Sequence, residues 1–195
     1  MSKFINKSEE TNYNAKKKYG QNFLEDNNLL LEIIESASLT DETEVIEIGP
    51  GLGFLTDILI KKSKKITAFE IDKGLIPILT KKFGDNDNFE LINEDFLAYD
   101  LNKIVEGKKN IKVVANIPYY ITSPIISRLL EFRSNISEIY LMVQKEVAER
   151  IASKPNSKNM SILTHSVQFF AEAEYLFTVK KEMLTPITKV NSAYL

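Results

Sequence analysis

The sequence predicts an α/β domain built on a mostly parallel sheet with one antiparallel strand. Three observations predict it. Apolar, β-branched runs alternate with segments of helical periodicity along most of the chain. A glycine-rich turn joins the first of those strands to the helix after it. The last two strand-like runs follow each other with only a proline-containing corner between them, which gives a late hairpin. At 195 residues, 44% hydrophobic and 27% charged, the chain can bury a proper core and is expected to form one globular domain.

Residues 1–15 are rich in Ser, Asn, Glu and Lys without periodicity and read as a flexible extension ahead of a domain over 16–195. The stretch 18–24 is a polar and aromatic loop. Asp26 or Asn27 caps a helix whose Leu29, Leu30, Ile33, Ile34 and Ala37 recur at helical spacing. Residues 43–48 form a strand, 49–53 the glycine-rich turn and 54–62 a helix. A second strand covers 65–70. Asp72 caps a helix from Lys73, with Pro77 within or near its first turn, where proline is tolerated. Strands follow at 89–92 and 111–115. Thr122 or Ser123 caps a helix opened by Pro124 that buries Ile125, Ile126, Leu129 and Leu130. A strand at 136–143, helices at 144–152 and 161–171, and strands at 174–179 and 189–195 complete the set.

Composition excludes several function classes. No cysteine rules out disulfides and thiolate chemistry, and the single His165 disfavours a zinc site or a histidine-based triad, so no metal is expected. The sequence contains no apolar run long enough to span a bilayer, and its polar, lysine-rich start lacks a signal-peptide core, so a cytoplasmic protein without membrane contact is expected. Nothing requires an obligate interface, and a monomer is expected. A net charge of −2 announces no nucleic-acid partner. Lysine clusters at 16–18 and 61–65, and Lys145, Arg150, Lys154 and Lys158 later, suit either a solvated face or an RNA track, according to whether the fold gathers them on one side.

The strand ends carry the chemistry. Gly49-Pro50-Gly51-Leu52-Gly53 lets a ligand approach the backbone beside free helix N–H groups. Its G-x-G-x-G spacing, with Phe54 following, disfavours NAD. Glu47, two residues before the first glycine, is unlike a pyrophosphate site and suits a cationic ligand such as S-adenosylmethionine. Glu70 lies about 20 residues beyond the turn, the interval at which an acidic residue reaches ribose hydroxyls. Asp95 can accept from an adenine amine, and serves equally well as a helix cap. Asn116-Ile117-Pro118-Tyr119 stands at the carboxyl end of the 111–115 strand, where open α/β sheets place their ligands. Carbonyl acceptors beside a stacking ring suit adenine. Taken alone, these four residues suit an ordinary stiffened loop better.

Six stretches together resemble a known family. They are Tyr19-Gly20-Gln21-Asn22-Phe23-Leu24, Glu47-Ile48-Gly49-Pro50-Gly51-Leu52-Gly53, Glu70-Ile71-Asp72, Asn116-Ile117-Pro118-Tyr119-Tyr120, the run 142–150 and Lys189-Val190-Asn191-Ser192-Ala193. The chain resembles the ribosomal RNA adenine dimethyltransferases, in particular the small-subunit branch that dimethylates two adjacent adenosines near the 3′ end of 16S rRNA. The resemblance implies a Rossmann-like class I S-adenosylmethionine-dependent methyltransferase fold. It implies that Asn22 and Leu24 fold over the cofactor, Gly49 approaches its methionine part, Glu70 holds the ribose and Asp95 the adenine amine. Asn116 then borders both cofactor and target. Glu47, Gly51, Gly53, Ile71 and Phe96 complete the expected cofactor set, and Tyr119, Tyr120, Leu184, Lys145 and Arg150 the set facing the target base and RNA. Hydrogen bonds from the adenine N6 hydrogens to the Asn116 side chain and to the Ile117 or Pro118 carbonyl would localise the N6 lone pair towards a sulfonium methyl, without a general base.

The chain also departs from that pattern. Leu184 stands where the family has an aromatic residue, Ile187 and Thr188 replace prolines, and the loop 159–162 lacks the usual aromatic and arginine. The family's small C-terminal helical domain is expected to be absent. Two alternatives accompany the main reading: a large-subunit 23S rRNA adenine methyltransferase conferring macrolide resistance, towards which Asn191 leans, and a non-catalytic RNA-binding or ribosome-assembly module.

Overall fold

The computed structural model describes residues 13–154, 157–158 and 160–195. Residues 1–12 of the expected extension and Asn159 lie outside the described residues.

The sheet has seven strands: β2 (Glu44–Ile48), β3 (Lys65–Phe69), β4 (Phe89–Ile92), β5 (Ile111–Asn116), β6 (Ile136–Gln144), β7 (Phe177–Val179) and β9 (Ser192–Tyr194). Their order across the sheet is β4-β3-β2-β5-β6-β9-β7. Strands β2 to β6 are parallel, and β9 runs antiparallel to both of its neighbours, so the expected single antiparallel strand is present. Two further short strands, β1 (Phe23–Leu24) and β8 (Leu184–Thr185), pair antiparallel as a separate ribbon. Neither was legible, because a two-residue strand has no periodicity of its own.

The helices are α1 (Asn27–Ala37), α2 (Phe54–Lys62), α3 (Ile76–Phe83), α4 (Asn102–Val105), α5 (Thr122–Glu131), α6 (Lys145–Ile151) and α7 (Ile162–Phe170). Asp26 caps α1 by accepting from the N–H groups of Asn28 and Leu29. Two expected boundaries shift. The helix expected from Lys73 starts at Ile76, because Asp72 caps a preceding turn through the Gly74 N–H, and Pro77 falls in the first turn of α3. Ile121 takes the N-cap position of α5 without a side-chain cap, so neither Thr122 nor Ser123 serves there. The final strands are shorter than expected, because pairing extends only over residues 177–179 and 192–194.

Strand alternation sorts the core into two layers. On one face Ile46, Ile48, Val113, Ala115, Leu141 and Val143 pack with Ile125, Leu129, Ile151 and Val167 from α5, α6 and α7. On the other, Val45, Ala68, Val114, Met142 and Tyr194 pack with Leu30, Ile33, Leu55 and Leu59 from α1 and α2. Each buried aliphatic side chain stabilises the fold by about 1.5–3 kcal/mol. Because the central strands are covered on both faces, they read as near-continuous apolar runs. Glu47 and Asn116 interrupt these runs. By alternation both belong to the α1/α2 face, in step with Val45 and Val114.

The order of strands reverses between β2 and β5: the chain adds β3 and β4 on one side of β2, then returns to place β5 on the other. A crevice opens at such a point beyond the strands' carboxyl ends, so topology alone brings the turn after β2 and the loop after β5 together. Among the described residues no helix is long and apolar enough to cross a membrane.

Candidate active site

The glycine turn leaves β2 with φ of +71° at Gly49, +60° at Gly51 and +82° at Gly53, a region that L side chains rarely adopt. At Gly51 space as well as φ demands glycine, since a Cβ would lie 2.9 Å from the Phe23 ring. The turn is tied to the end of β3: the Gly51 N–H donates to Glu70 Oε2 at 3.2 Å and the Asp72 N–H to Oε1 at 2.8 Å. Asn93 Nδ2 holds the Glu70 carbonyl at 2.7 Å. Glu70 is only 4% exposed, and burial outweighs the two N–H donors, so its pKa is pushed up to about 7.

The segment from Tyr13 to Leu24 crosses this crevice as a strap. Its fastening is Asp72, which accepts from Lys16 Nζ at 2.7 Å, from Gln21 Nε2 at 3.0 Å and from the Tyr13 hydroxyl. Burial alone would raise the Asp72 pKa, but the Lys16, Tyr13, Gly74 and Gln21 hydrogen bonds prevail and hold it at about 2. Tyr13, expected within a flexible extension, is therefore anchored, and its ring meets Phe23 edge-on at 6.2 Å. The far end of the strap is fixed by β1 pairing with β8, Leu24 opposite Leu184.

Asn116 ends β5, and its Oδ1 accepts from the Tyr194 hydroxyl. The Pro118 carbonyl accepts from the Ile121 N–H at 3.2 Å, closing a 3-10 turn over Tyr119–Ile121. The Tyr119 hydroxyl pairs with Ser192 Oγ at 2.6 Å. Beneath Asn116, buried Glu47 accepts from Thr56 Oγ1 at 2.8 Å. Burial pushes its pKa up to about 8 against that hydrogen bond, and the nearby Glu70 adds to the rise.

These groups share one cleft with an empty volume of about 1270 Å³, open mouth included. It is lined by Asn22 and Leu24 of the strap; Glu47, Gly49 and Gly51 of the turn; Glu70, Ile71, Asp95 and Phe96; and Asn116, Ile117, Pro118, Tyr119 and Tyr120. The fold thus gathers fourteen of the expected site residues, drawn from five separate stretches. Asp95 lies three residues past β4 rather than at its end, and its Oδ1 accepts from the Leu97 N–H at 3.0 Å, so it caps a turn while lining the cleft. Tyr120 stands at the rim, 64% exposed. Among the described residues, no group of three or more His, Asp or Glu side chains is arranged to hold a metal ion.

Four expected site residues lie elsewhere. Gly53 does not line the cleft; it is the N-cap of α2, and the Phe83 ring fills the place a Cβ would take there. Leu184 offers no surface to a base. It is 1% exposed and packs with Leu24 and Leu30, because pairing with β1 turns it into the core. Lys145 and Arg150 lie on α6, facing Glu149 at 3.7 Å and Glu146 at 3.8 Å. Lys145 lines a separate shallow groove with Lys181, Lys189 and Asn191. Sequence reasoning missed Tyr13, Lys16, Ser192 and Tyr194. Ser192 lies inside one of the motif stretches, and the alternation from Ser192 to Tyr194 puts them on one face, but only strand register tells which loop they meet.

A family model described as ribosomal RNA adenine dimethylase matches residues 12–195. The chain belongs to that family. Individual relatives are similar over most of the chain. Ribosomal RNA small subunit methyltransferase A of Fusobacterium nucleatum is 49% identical over 184 residues, which is 94% of this chain and 69% of that protein. The Lactococcus lactis protein of the same name is 47% identical over 187 residues, 94% of this chain and 64% of that one. The chain thus spans about two thirds of the length of these curated relatives. Among solved structures, a dimethyladenosine transferase from Plasmodium falciparum is similar with a TM-score of 0.78 at 32% identity, over 88% of this chain and 61% of that one. The 23S rRNA methyltransferase ErmE is similar with a TM-score of 0.76 at 31% identity, over 89% and 68%. The family's fold is therefore that of this chain, a class I methyltransferase α/β sheet.

Proposed function

We propose that this chain transfers methyl groups from S-adenosylmethionine to the N6 amines of two adjacent adenosines near the 3′ end of 16S rRNA. The observation that carries the reading is the single cleft in which the Gly49–Gly51 turn and Glu70 face the Asn116–Tyr119 loop. A Cβ at Gly49 would meet nothing nearer than the Asn116 carbonyl at 4.0 Å, so the turn leaves room for a ligand against its backbone. The residues fit the cofactor: Glu70 would accept from the ribose hydroxyls, Asp95 from the adenine amine, and Asn22 and Leu24 would cover it. Bound there, S-adenosylmethionine supplies an electrophilic methyl on a sulfonium.

The chain's own groups do the rest. The N6 lone pair of adenine is delocalised into its ring and is a poor nucleophile. Asn116 Oδ1 has one lone pair engaged by Tyr194 and a second for an N6 hydrogen. The Ile117 or Pro118 carbonyl takes the other N6 hydrogen, and the two acceptors together draw the nitrogen lone pair out of the ring plane. Tyr119 stacks on the extruded base, contributing about 1–3 kcal/mol. The proton is released after transfer, when the nitrogen is cationic, and no buried base is needed.

Relatives 49% and 47% identical bear the small-subunit name, against 31% identity for ErmE, and this favours 16S over 23S rRNA as the substrate. The test is calorimetric titration with S-adenosylmethionine, followed by labelled methyl transfer to small ribosomal subunits lacking the modification. Binding with transfer, and N6,N6-dimethyladenosine in a nuclease digest, is the expected result. Binding without transfer would replace the enzyme by a non-catalytic RNA-binding module. No binding would refute the cofactor assignment.

A further inference from the structure

We infer that Tyr194 and Ser192, both on β9, are positioning residues that hold Asn116 and Tyr119 in the geometry the target base requires. The inference rests on the proposed function and adds to it a second layer of residues from the far side of the sheet.

The geometry is set by strand register. Asn116 of β5 is opposite Met142 of β6, and Met142 is opposite Tyr194 of β9, so the three side chains stand in one row on the same face. The Tyr194 ring is long enough to pass Met142 and reach Asn116, where its hydroxyl donates to Oδ1. The ring is fully buried and stacks on Phe177 with centroids 5.4 Å apart and planes 26° apart, so the hydroxyl is aimed rather than free to swing. Two residues earlier on the same strand and face, fully buried Ser192 pairs its Oγ with the Tyr119 hydroxyl at 2.6 Å. One strand thus fixes both the acceptor and the stacking ring.

The chemistry makes the first contact consequential. The oxygen and nitrogen ends of an Asn amide are nearly the same shape, and only hydrogen bonding decides which way the group faces. Adenine N6 brings hydrogens, so an amide turned by a half rotation would oppose donor to donor. A phenol buried as deeply as Tyr194, beside Glu47, has its pKa raised well above the ordinary value and stays protonated. It therefore keeps a proton to donate, and its bond to Oδ1 holds the amide with that oxygen in the acceptor position. Displacement of a reacting group by about 1 Å costs up to roughly 100-fold in rate.

The experiment uses Tyr194→Phe, Ser192→Ala and Ser192→Thr in the full chain. Affinity for S-adenosylmethionine is expected to stay within about twofold of the parent for all three, while single-turnover transfer falls roughly 10- to 100-fold in Tyr194→Phe and Ser192→Ala. Ser192→Thr, which keeps the hydroxyl, is expected to restore most of the rate. Unchanged transfer in Tyr194→Phe, equal loss of cofactor affinity and transfer, or no difference between the Ala and Thr variants would each overturn the inference. A turnover-independent readout separates it from the proposed function: the side-chain amide resonances of Asn116 in ¹⁵N-labelled chain, assigned through Asn116→Asp. If the parent chain itself fails to transfer methyl, the proposed function falls, and these resonances alone decide the positioning role. They are expected to shift and broaden in Tyr194→Phe as the amide loses its fixed orientation. Unshifted, sharp resonances would refute positioning.

Discussion

Nucleoside binding to this chain is expected to depend on pH through Glu70. The carboxyl is 4% exposed with a pKa pushed up to about 7, although two backbone N–H groups donate to it. Ribose hydroxyls donate to the carboxylate, so the protonated form must lose its proton before it can serve. Below about pH 7 the affinity should therefore fall close to tenfold for each pH unit, with one proton released per ligand bound, and above about pH 8 it should level off. The sign for stability is opposite. The folded chain keeps this proton to higher pH than the unfolded chain does, so the free protein loses stability as pH rises from 4.5 to about 7. The assay is titration calorimetry with 5′-methylthioadenosine, which lacks the amino-acid charges of the full cofactor, in buffers of different ionisation enthalpy. Glu70→Gln should bind weakly with no slope. Glu47→Gln should keep the slope, because Glu47 turns to Thr56 rather than to the ribose side. A flat profile between about pH 6 and pH 8, or unchanged affinity in Glu70→Gln, would refute the assignment of Glu70 to the ribose.

Asn116→Ala is expected to abolish methyl transfer while the chain still folds; it strands the buried Tyr194 hydroxyl at a cost of about 1–3 kcal/mol, visible as a modest fall in denaturant midpoint. Near-normal turnover would dismiss the lone-pair mechanism. Asp72→Asn removes the charge that fastens the strap, and trypsin should then cut at Lys16–Lys18 faster while the sheet stays resistant; an unchanged cutting rate would mean Asp72 is not the fastening. Leu184→Ala should destabilise by about 2–5 kcal/mol as a cavity in the core, measured by denaturant unfolding, whereas a residue that merely faced a base would leave stability unchanged.

How much of this was legible can be judged residue by residue. The helix at 54–62 and the strand at 89–92 have the bounds read from periodicity, because each is flanked by residues that end it locally. Glu70 was singled out by its distance to the glycine turn, since one β-α-β unit fixes that interval, and it lines the cleft. Asn116 was singled out because a polar residue closes an apolar strand, and it too lines the cleft. Gly53 was misassigned by the same local logic: three glycines in one turn look alike, and only the packing of Phe83 distinguishes the third. Leu184 was misassigned because its place in the family's motif does not reveal that pairing with β1 buries it.

By itself the sequence determined the alternation of strand and helix, the ligand-admitting turn and the acidic residue beyond it, because these follow from interactions between residues close along the chain. Only the tertiary structure decided that the strap fastens to Asp72, that Leu184 turns inward and that Tyr194 and Ser192 reach the Asn116 loop. Those contacts join residues from about 50 to 160 positions apart, and they exist only once the order and register of the strands are set.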